Sequence, residues 1–509
     1  VLTLNLLQRR EWQINRPVLA IVHEAAALRN FGDVVAPYTV AKPEWREDFT
    51  DSAKAQWKAA AREWYTQKKI RKVQAMNSQR TLEEAHDLAQ YPTIWFAYYA
   101  DFRGRKYAVS KGVSPQGNDL EKGLISLKQG KPVKSDSAQR WFRIHGANKW
   151  GLDKLTLEDR ERWVLDNHIM LRDMGRSPLD HREWMDCDCP VQFLAWVMEY
   201  AAWVDNPATF QSHLALGQDG TCNGLQNFSA LLRDEVGGAA VNLVPSETPR
   251  DIYKDVADFV MKILPDMPQS LERDLWIAHA VNRKVTKRTT MTLPYGCTRY
   301  ACSTFVREYV EAVKPPEFPL ELYGDLANYL SHLIWKALDG TVVKAREVMR
   351  WLQEWAQYTA RLNKRPAWVT PSGLLVRNYY EREISKEVRS AAFNTRIRLS
   401  RPTGQADARK IANAVAPNFV HSLDAAHLDR VVQRACSEGM DPVTIHDDFG
   451  VHAEDTERFH QIIREEFVDM YDGLDILEVM REKVGFPTPP PNPGTLDLQR
   501  IKDSKYFFA

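Results

Sequence analysis

The sequence predicts an α+β protein that is predominantly helical, and three observations carry that expectation. Apolar side chains recur at three- and four-residue spacing over long stretches, most extensively from residue 51 to about 90. Extended signals are short by comparison: apolar residues run into tight turns at 214–220 and at 443–451. Finally, 509 residues exceed what one hydrophobic core usually supports, so two to four subdomains around a large common core are expected.

The charge balance narrows the function classes. A net charge of +1, from 68 basic and 67 acidic residues, excludes a generally basic nucleic-acid coat and leaves local patches to bind any polyanion. Six cysteines, with Cys187 and Cys189 the only close pair and no second pair at zinc-ligand spacing, fit reduced intracellular thiols. The most apolar run, 191–204, is broken by Gln192 and Glu199 and is too short to span a bilayer, so it reads as a buried helix and no membrane partner is expected. No signal peptide is visible, and a start at Val1 rather than Met reads as a chain processed or excised from something longer.

In chain order, 2–30 has a helical pattern and 31–49 is irregular. The helix from 51 sets Trp57, Ala61 and Trp64 on one face, with Lys54, Lys58, Arg62, Lys68, Lys69, Arg71, Lys72 and Arg80 among the rest. Those cations are either a solvated face or a track for a nucleic-acid backbone. After the aromatic 91–99 stretch, Asp101-Phe102-Arg103-Gly104-Arg105-Lys106-Tyr107 places three cations around a glycine, which suits close approach of phosphate and makes Arg103 and Arg105 candidate nucleic-acid contacts. A helical segment follows with Trp141, Ile144, His145 and Asn148.

Residues 218–233, Q-D-G-T-C-N-G-L-Q-N-F-S-A-L-L-R, read as strand, tight turn, helix. The turn holds Asp219 at the lip of a sheet, and the helix start offers unpaired N–H groups to phosphate. Asp-Gly alone is equally a plain turn, so a functional role requires a second carboxylate. Residues 443–451 supply one, as a hairpin whose tip presents Asp447.

Between them, 250–264 is an acidic, apolar helix and 275–294 a second helix. Arg283, Lys287, Met291 and Tyr295 are each four apart and drift about 40° per step, forming one oblique stripe of cation, cation, thioether and aromatic. That chemistry fits a ligand with a triphosphate at one end and a base and sugar at the other, a snorkelling amphipathic helix being the bland alternative. Pro294 should kink or end the helix just before Tyr295-Gly296, placing the tyrosine at a hinge.

A proline-rich connector at 314–320 precedes helical segments at 325–338 and 342–364 and a hairpin at 368–376. Residues 377–408 then carry Arg377, Arg382, Arg389, Arg396, Arg398 and Arg401 with little helical period, an arginine-rich loop that either reaches DNA or is simply exposed. The helical 408–432 contains His421 and His427 as packing residues, 485–494 is a proline-rich extended tract, and the apolar 506–509 end should dock.

Together the pieces D-G-T-C-N-G-L-Q at Asp219, R-K-V-T-K-R-T-T-M-T-L-P-Y-G at Arg283, H-D-D-F-G at His446, D-F-R-G-R at Asp101 and A-P-N-F-V-H-S at Ala416 resemble the single-subunit RNA polymerases of bacteriophage and mitochondrial type, in that family's order over almost the whole chain. Residues 231–247 look closer to phage than to organellar members. The resemblance implies a right-hand fold: thumb in 1–92, palm in 93–250 and 421–509, fingers in 251–420, with a small antiparallel palm sheet. It implies that Asp219 and Asp447, helped by the Gly220 carbonyl, hold two Mg2+ ions. Arg283, Lys287, Met291, Tyr295 and Gly296 would bind the nucleotide, with Lys287 as acid for pyrophosphate, Tyr295 selecting ribose and His446 near the nucleotide. Arg105 would contact template or hybrid, and the loop of Arg389 and Arg396 resembles the promoter-reading loop.

The implied partners are DNA template, RNA product and NTPs, in the cytoplasm of a phage-infected bacterium or in a mitochondrial or plastid matrix. Full-length members carry an N-terminal promoter-melting domain before the segment matched here, so a separate N-terminal or promoter-recognition protein is a further expected partner. The sequence departs from the family at Asn227, where many relatives have histidine, at Asp448, where phage members often have serine, and at Pro294. Two alternatives remain: a related DNA polymerase or primase, and a nucleic-acid-binding subunit inactive without its partner.

Overall fold

The computed structural model describes residues 1–27, 41–390 and 395–509, so the expectations for 28–40 lie outside the described residues. Helices dominate, and the sheets are small: one of three strands and five of two among the described residues. This is the predominantly helical α+β class that the sequence predicts. The chain divides into two compact units.

The first unit comprises 1–99, 106–218 and 432–460. Its core is aromatic and built on the helix Pro190–Asp205, the apolar run too short for a membrane. Trp196 is fully buried, stacks on Tyr200 at 5.0 Å and lies 5.4 Å from Phe193, while its indole N–H donates to the Phe142 carbonyl. Each such side chain contributes on the order of 2–3 kcal/mol by leaving water. The helix Asp136–Trp150 can pack there because Gly146 has no side chain: a Cβ would stand 2.2 Å from the Trp196 ring. The long helix runs Asp51–Leu88, capped by Thr50, whose hydroxyl accepts from the Ala53 N–H at 3.3 Å. Tyr65, Ile70, Val73 and Met76 on it are exposed, so little of it is core.

The strands Val443–Ile445 and Asp448–Val451 form the antiparallel hairpin expected at the second carboxylate, with Leu216–Asp219 completing the sheet next to Asp448–Val451. The unit boundary falls within that last strand, between Gln218 and Asp219.

The second unit comprises 100–105, 219–431 and 461–509. The helices Ile252–Ile263, Tyr323–Thr341 and Val343–Arg361 agree with expectation, as does the hairpin Ala367–Val369 with Leu375–Arg377. The apolar terminus docks: Tyr506, Phe507 and Phe508 are buried, and Phe508 bridges Gly220.

Two expectations are corrected. Residues 275–294 are not one helix. Leu271–His279 stops where Ala280 turns to φ +63°, and Arg283–Thr292 restarts under a side-chain cap from Asn282, which accepts from the Lys284 N–H at 3.0 Å. Asn282 competes for backbone N–H groups better as a cap than as a helix interior residue.

The arginine-rich stretch is likewise not a loop. Glu381–Ser390 and Thr395–Ala406 pair antiparallel as a long exposed ribbon. Val388 opposes Ile397 and Glu387 opposes Arg398, so β-branched and opposite-charge cross-strand pairs drive the pairing that the arginine count obscured.

Candidate active site

The first unit holds the hairpin at 443–451. His446 and Asp447 form the turn, His446 at φ +57°, a conformation costly for a non-glycine residue and therefore held by its surroundings. The imidazole lies edge-on to Tyr107 at 5.0 Å, and Tyr107 stacks on Tyr99. Asp448 belongs to the strand and pairs with Ile445, and its side chain lies over Gly217.

The second unit holds Asp219, Lys287 and Tyr295. Asp219 ends its strand, Gly220 is held by Phe508, and Cys222 adopts φ +57° to launch the helix Asn223–Leu231. Gly224 in its first turn is a close approach. A Cβ there would stand 2.8 Å from Pro294 Cβ and 3.2 Å from the Tyr295 hydroxyl oxygen. The turn after Asp219 and the end of the Arg283 helix are thus packed directly together.

That helix ends as expected. Pro294 sits in a 3-10 turn, Leu293–Tyr295, closed by Gly296 at φ +84°. Tyr295 lies on the turn with its ring 4.7 Å from His421.

The four cations of the helix have different fates. Arg283 is ion-paired to Asp251 and lies 5.2 Å from the Tyr253 ring, and Arg288 is paired to Glu308. Lys284 and Lys287 are exposed, and their ammonium groups pair with no acid among the described residues. Lys287 is one helical turn from Met291, itself 39% exposed. Asp251 also caps Ile252–Ile263, so Arg283 is aimed by a fixed acid.

Behind the Asp219 turn runs a buried polar network that sequence reasoning missed. Tyr471 Oη donates to Asn227 Oδ1 at 2.6 Å, and Asn227 Nδ2 donates to Asn223 Oδ1 at 2.7 Å. Asn223 Nδ2 donates to Asp424 Oδ1 at 2.8 Å, and Asp424 Oδ2 takes two bonds from Arg105, at 2.5 and 2.9 Å. Burial, with the Asp424 charge as the lesser cause, pushes the Tyr471 hydroxyl well above its ordinary pKa. Arg105 thereby has its guanidinium committed to Asp424.

Arg103 binds Asp101 through Nη2 at 2.6 Å and reaches His421 Nδ1 at 2.7 Å. His421, expected only to pack, therefore joins Arg103 to Tyr295. His427 is the packing histidine: its Nε2 lies 2.8 Å from the Ile463 carbonyl, and burial lowers it to about 4. Arg389 and Arg396 face each other across the exposed ribbon, Arg396 pairing with Glu387 at 3.1 Å. A-P-N-F-V-H-S ends at Ser422, so Asp424 was two residues from a recognised motif, while Tyr471 carried no local signal.

Among the described residues no three His, Cys, Asp or Glu side chains cluster as a metal cage. Two aspartates and a backbone carbonyl are nevertheless the hard-oxygen donors that Mg2+ accepts, since it keeps waters and takes its other ligands from substrate phosphates.

A family model described as DNA-dependent RNA polymerase matches residues 132–486. The T7 RNA polymerase of Escherichia phage T7 is 34% identical, covering 99% of this chain and 64% of its own length. The DNA-directed RNA polymerase of Enterobacteria phage T3 is 33% identical at 99% and 64% coverage, and the chloroplastic/mitochondrial polymerase 2 of Nicotiana sylvestris 30% identical at 99% and 51%. The chain thus spans under two thirds of the length of these relatives. Among solved structures, the POL domain of Pol1 from M. smegmatis, in complex with DNA primer-template and dNTP, aligns with TM-score 0.40 and 12% identity over 90% of this chain and 64% of that one.

Proposed function

Since the chain belongs to the DNA-dependent RNA polymerase family, we propose that it extends an RNA 3' end on a DNA template by nucleotidyl transfer from NTPs. The observation that carries this is the contact of Gly224 with Pro294 and Tyr295, which joins the turn bearing Asp219 to the helix bearing Lys287. An acid and a cation that pairs with no acid among the described residues, on neighbouring elements, are what a metal-bound triphosphate needs.

In this proposal the palm comprises 93–250 and 421–509, the thumb 1–92 and the fingers 251–420. Asp219 and Asp447, with the Gly220 carbonyl, would hold two Mg2+ ions. Paired Mg2+ ions activate an attacking hydroxyl and stabilise departing pyrophosphate. Asp219 ends its strand and Asp447 lies in the turn before Asp448–Val451, each a carboxylate at the end of a strand. Lys287 meets the triphosphate and gives the leaving pyrophosphate its proton, a role suited to an ammonium with no acid partner among the described residues. Arg283, fixed by Asp251, neutralises phosphate charge with its remaining N–H groups. Met291 and Gly296 border base and sugar. Tyr295, seated between Gly224 and His421, selects ribose, and His446 flanks the nucleotide.

Arg103, Arg105 and the ribbon arginines Arg389 and Arg396 serve the nucleic acid, Arg105 by placing its loop rather than by a free guanidinium. A separate N-terminal or promoter-recognition protein is a further proposed partner. The phage relatives' higher identity favours the cytoplasm of a phage-infected bacterium over an organelle matrix. No described helix is long and apolar enough to cross a membrane.

The test is a primed RNA:DNA scaffold supplied with Mg2+ and NTPs. Extension templated one nucleotide at a time is expected, with much weaker synthesis from promoter DNA alone. Extension with dNTPs in preference to NTPs, or none with either, would refute the assignment.

A further inference from the structure

A cavity of about 90 Å³ opens beside the catalytic hairpin, lined entirely by residues of the first unit. Its walls include Trp12, Ile125, Leu127, Leu214 and Ile445, all apolar. Space of that size holds several waters or a small organic molecule.

Four polar side chains on it make no side-chain hydrogen bond or ion pair among the described residues. His145 is 6% exposed, and its Nδ1 is buried with no hydrogen-bond partner among the described residues. Asp448 lies over Gly217, its Oδ1 2.7 Å from where a Cβ would stand, and makes no side-chain hydrogen bond or ion pair with the described residues. Lys122 and Lys149, both half-buried, pair with no acid among them. The buried His145 Nδ1, left unsatisfied, costs about 1–3 kcal/mol, while Asp448, Lys122 and Lys149 are half-buried and present their charges to the space. Burial, reinforced by Lys149, holds the His145 ring well below its usual pKa and therefore neutral. Two lysines against one carboxylate leave the lining with an excess of positive charge.

We infer that this cavity binds a small amphipathic monoanion: an apolar body against the Trp12 and Ile445 walls, a carboxylate between Lys122 and Lys149, and a hydroxyl shared by His145 and Asp448. A single anionic charge balances the lining, and the apolar walls exclude a fully hydrated ion. Asp448 directly follows Asp447, so an occupant reaches the hairpin that bears the proposed metal ligand through one residue.

The test uses 4-hydroxybenzoate as probe, with benzoate and inorganic phosphate as comparisons, titrated into the full chain by calorimetry. Saturable one-site binding of 4-hydroxybenzoate is expected, weakened about 10-fold or more in Lys149→Met and in Lys122→Met, the loss of one charge-assisted contact. Both lysines are half-exposed, and circular dichroism confirms that each variant is folded. The preference for 4-hydroxybenzoate over benzoate should disappear in Asp448→Ala. Absence of saturable binding, unchanged affinity in both lysine variants, or phosphate binding as tightly as the aromatic acid would each overturn the inference. The readout is binding, so failure here leaves the polymerase proposal standing, and failure of RNA extension leaves this site standing.

Discussion

Asp424→Ala tests whether the network behind Asp219 holds the site together. Asp424 is 2% exposed and Arg105 14%, so removing the carboxylate leaves a guanidinium mostly out of water and unpaired. Breaking such a buried pair costs about 3–5 kcal/mol. The Asn223 amide also loses its acceptor, worth about 1–3 kcal/mol alone, but the terms share one carboxylate and do not add. We expect about 4 kcal/mol, read as faster amide hydrogen exchange across the helices Asn223–Leu231 and Ala408–Ser437. Exchange suits a chain of two units, whose bulk unfolding need not be two-state. The double replacement Arg105→Met, Asp424→Leu removes both charges and should recover most of the loss, because apolar residues of similar volume avoid the desolvation penalty. A single variant costing under about 1 kcal/mol, or a double variant as unstable as the single, would refute this account.

Other predictions probe separate elements. Gly224→Ala drives a methyl against Pro294 and the Tyr295 hydroxyl, and should raise the KM for NTPs more than it lowers thermal stability; an unchanged KM would contradict the contact. Tyr295→Phe should increase deoxynucleotide incorporation, measured by competition of dNTPs with NTPs on the scaffold. Burial raises the Glu199 carboxyl to about 7, although it accepts from the Ser212 hydroxyl at 2.6 Å and the His213 N–H at 3.1 Å. The folded state holds this proton more tightly than the unfolded one, so the associated stability is complete below about pH 4.5 and is lost as pH rises through about 7. Glu199→Gln should remove a fall of about 3 kcal/mol at most between those limits. The buried histidines His427 and His452, each lowered to about 4, act with opposite sign and are common to both proteins; equal pH profiles would argue against the raised carboxyl. Charge removal at Arg389 and Arg396 together should flatten the salt dependence of nucleic-acid binding by up to about two units of slope if both meet phosphates, and by none if the ribbon stays in solvent.

Local chemistry made much of this legible. Asp219-Gly220 after an apolar run and Gly224 before a helical period located the strand, turn and helix, because glycines mark turns and periodicity marks the buried face. Pro294 located the end of its helix because its ring cannot donate to the ladder. The break at Ala280 escaped, since nothing local distinguishes an alanine at φ +63° from a helical one. The ribbon escaped because charged residues alternate with Ile384, Val388, Ile397 and Leu399 on a strand pair with no buried face. Arg105 and Asp424 are 319 residues apart, and only the fold reveals that a cation suited to phosphate is already paired.

In the proposed mechanism Asp219 and Asp447 jointly hold the two Mg2+ ions that promote nucleotidyl transfer. Single-turnover extension of a scaffolded RNA across a range of Mg2+ concentrations, with Asp219→Asn, Asp447→Asn and the double variant, tests it most directly. Each single variant should lose extension by at least about a thousandfold at every Mg2+ concentration, and the double variant should be no worse, because both acids serve one centre. Wild-type extension by either single variant, or losses that multiply in the double, would contradict it.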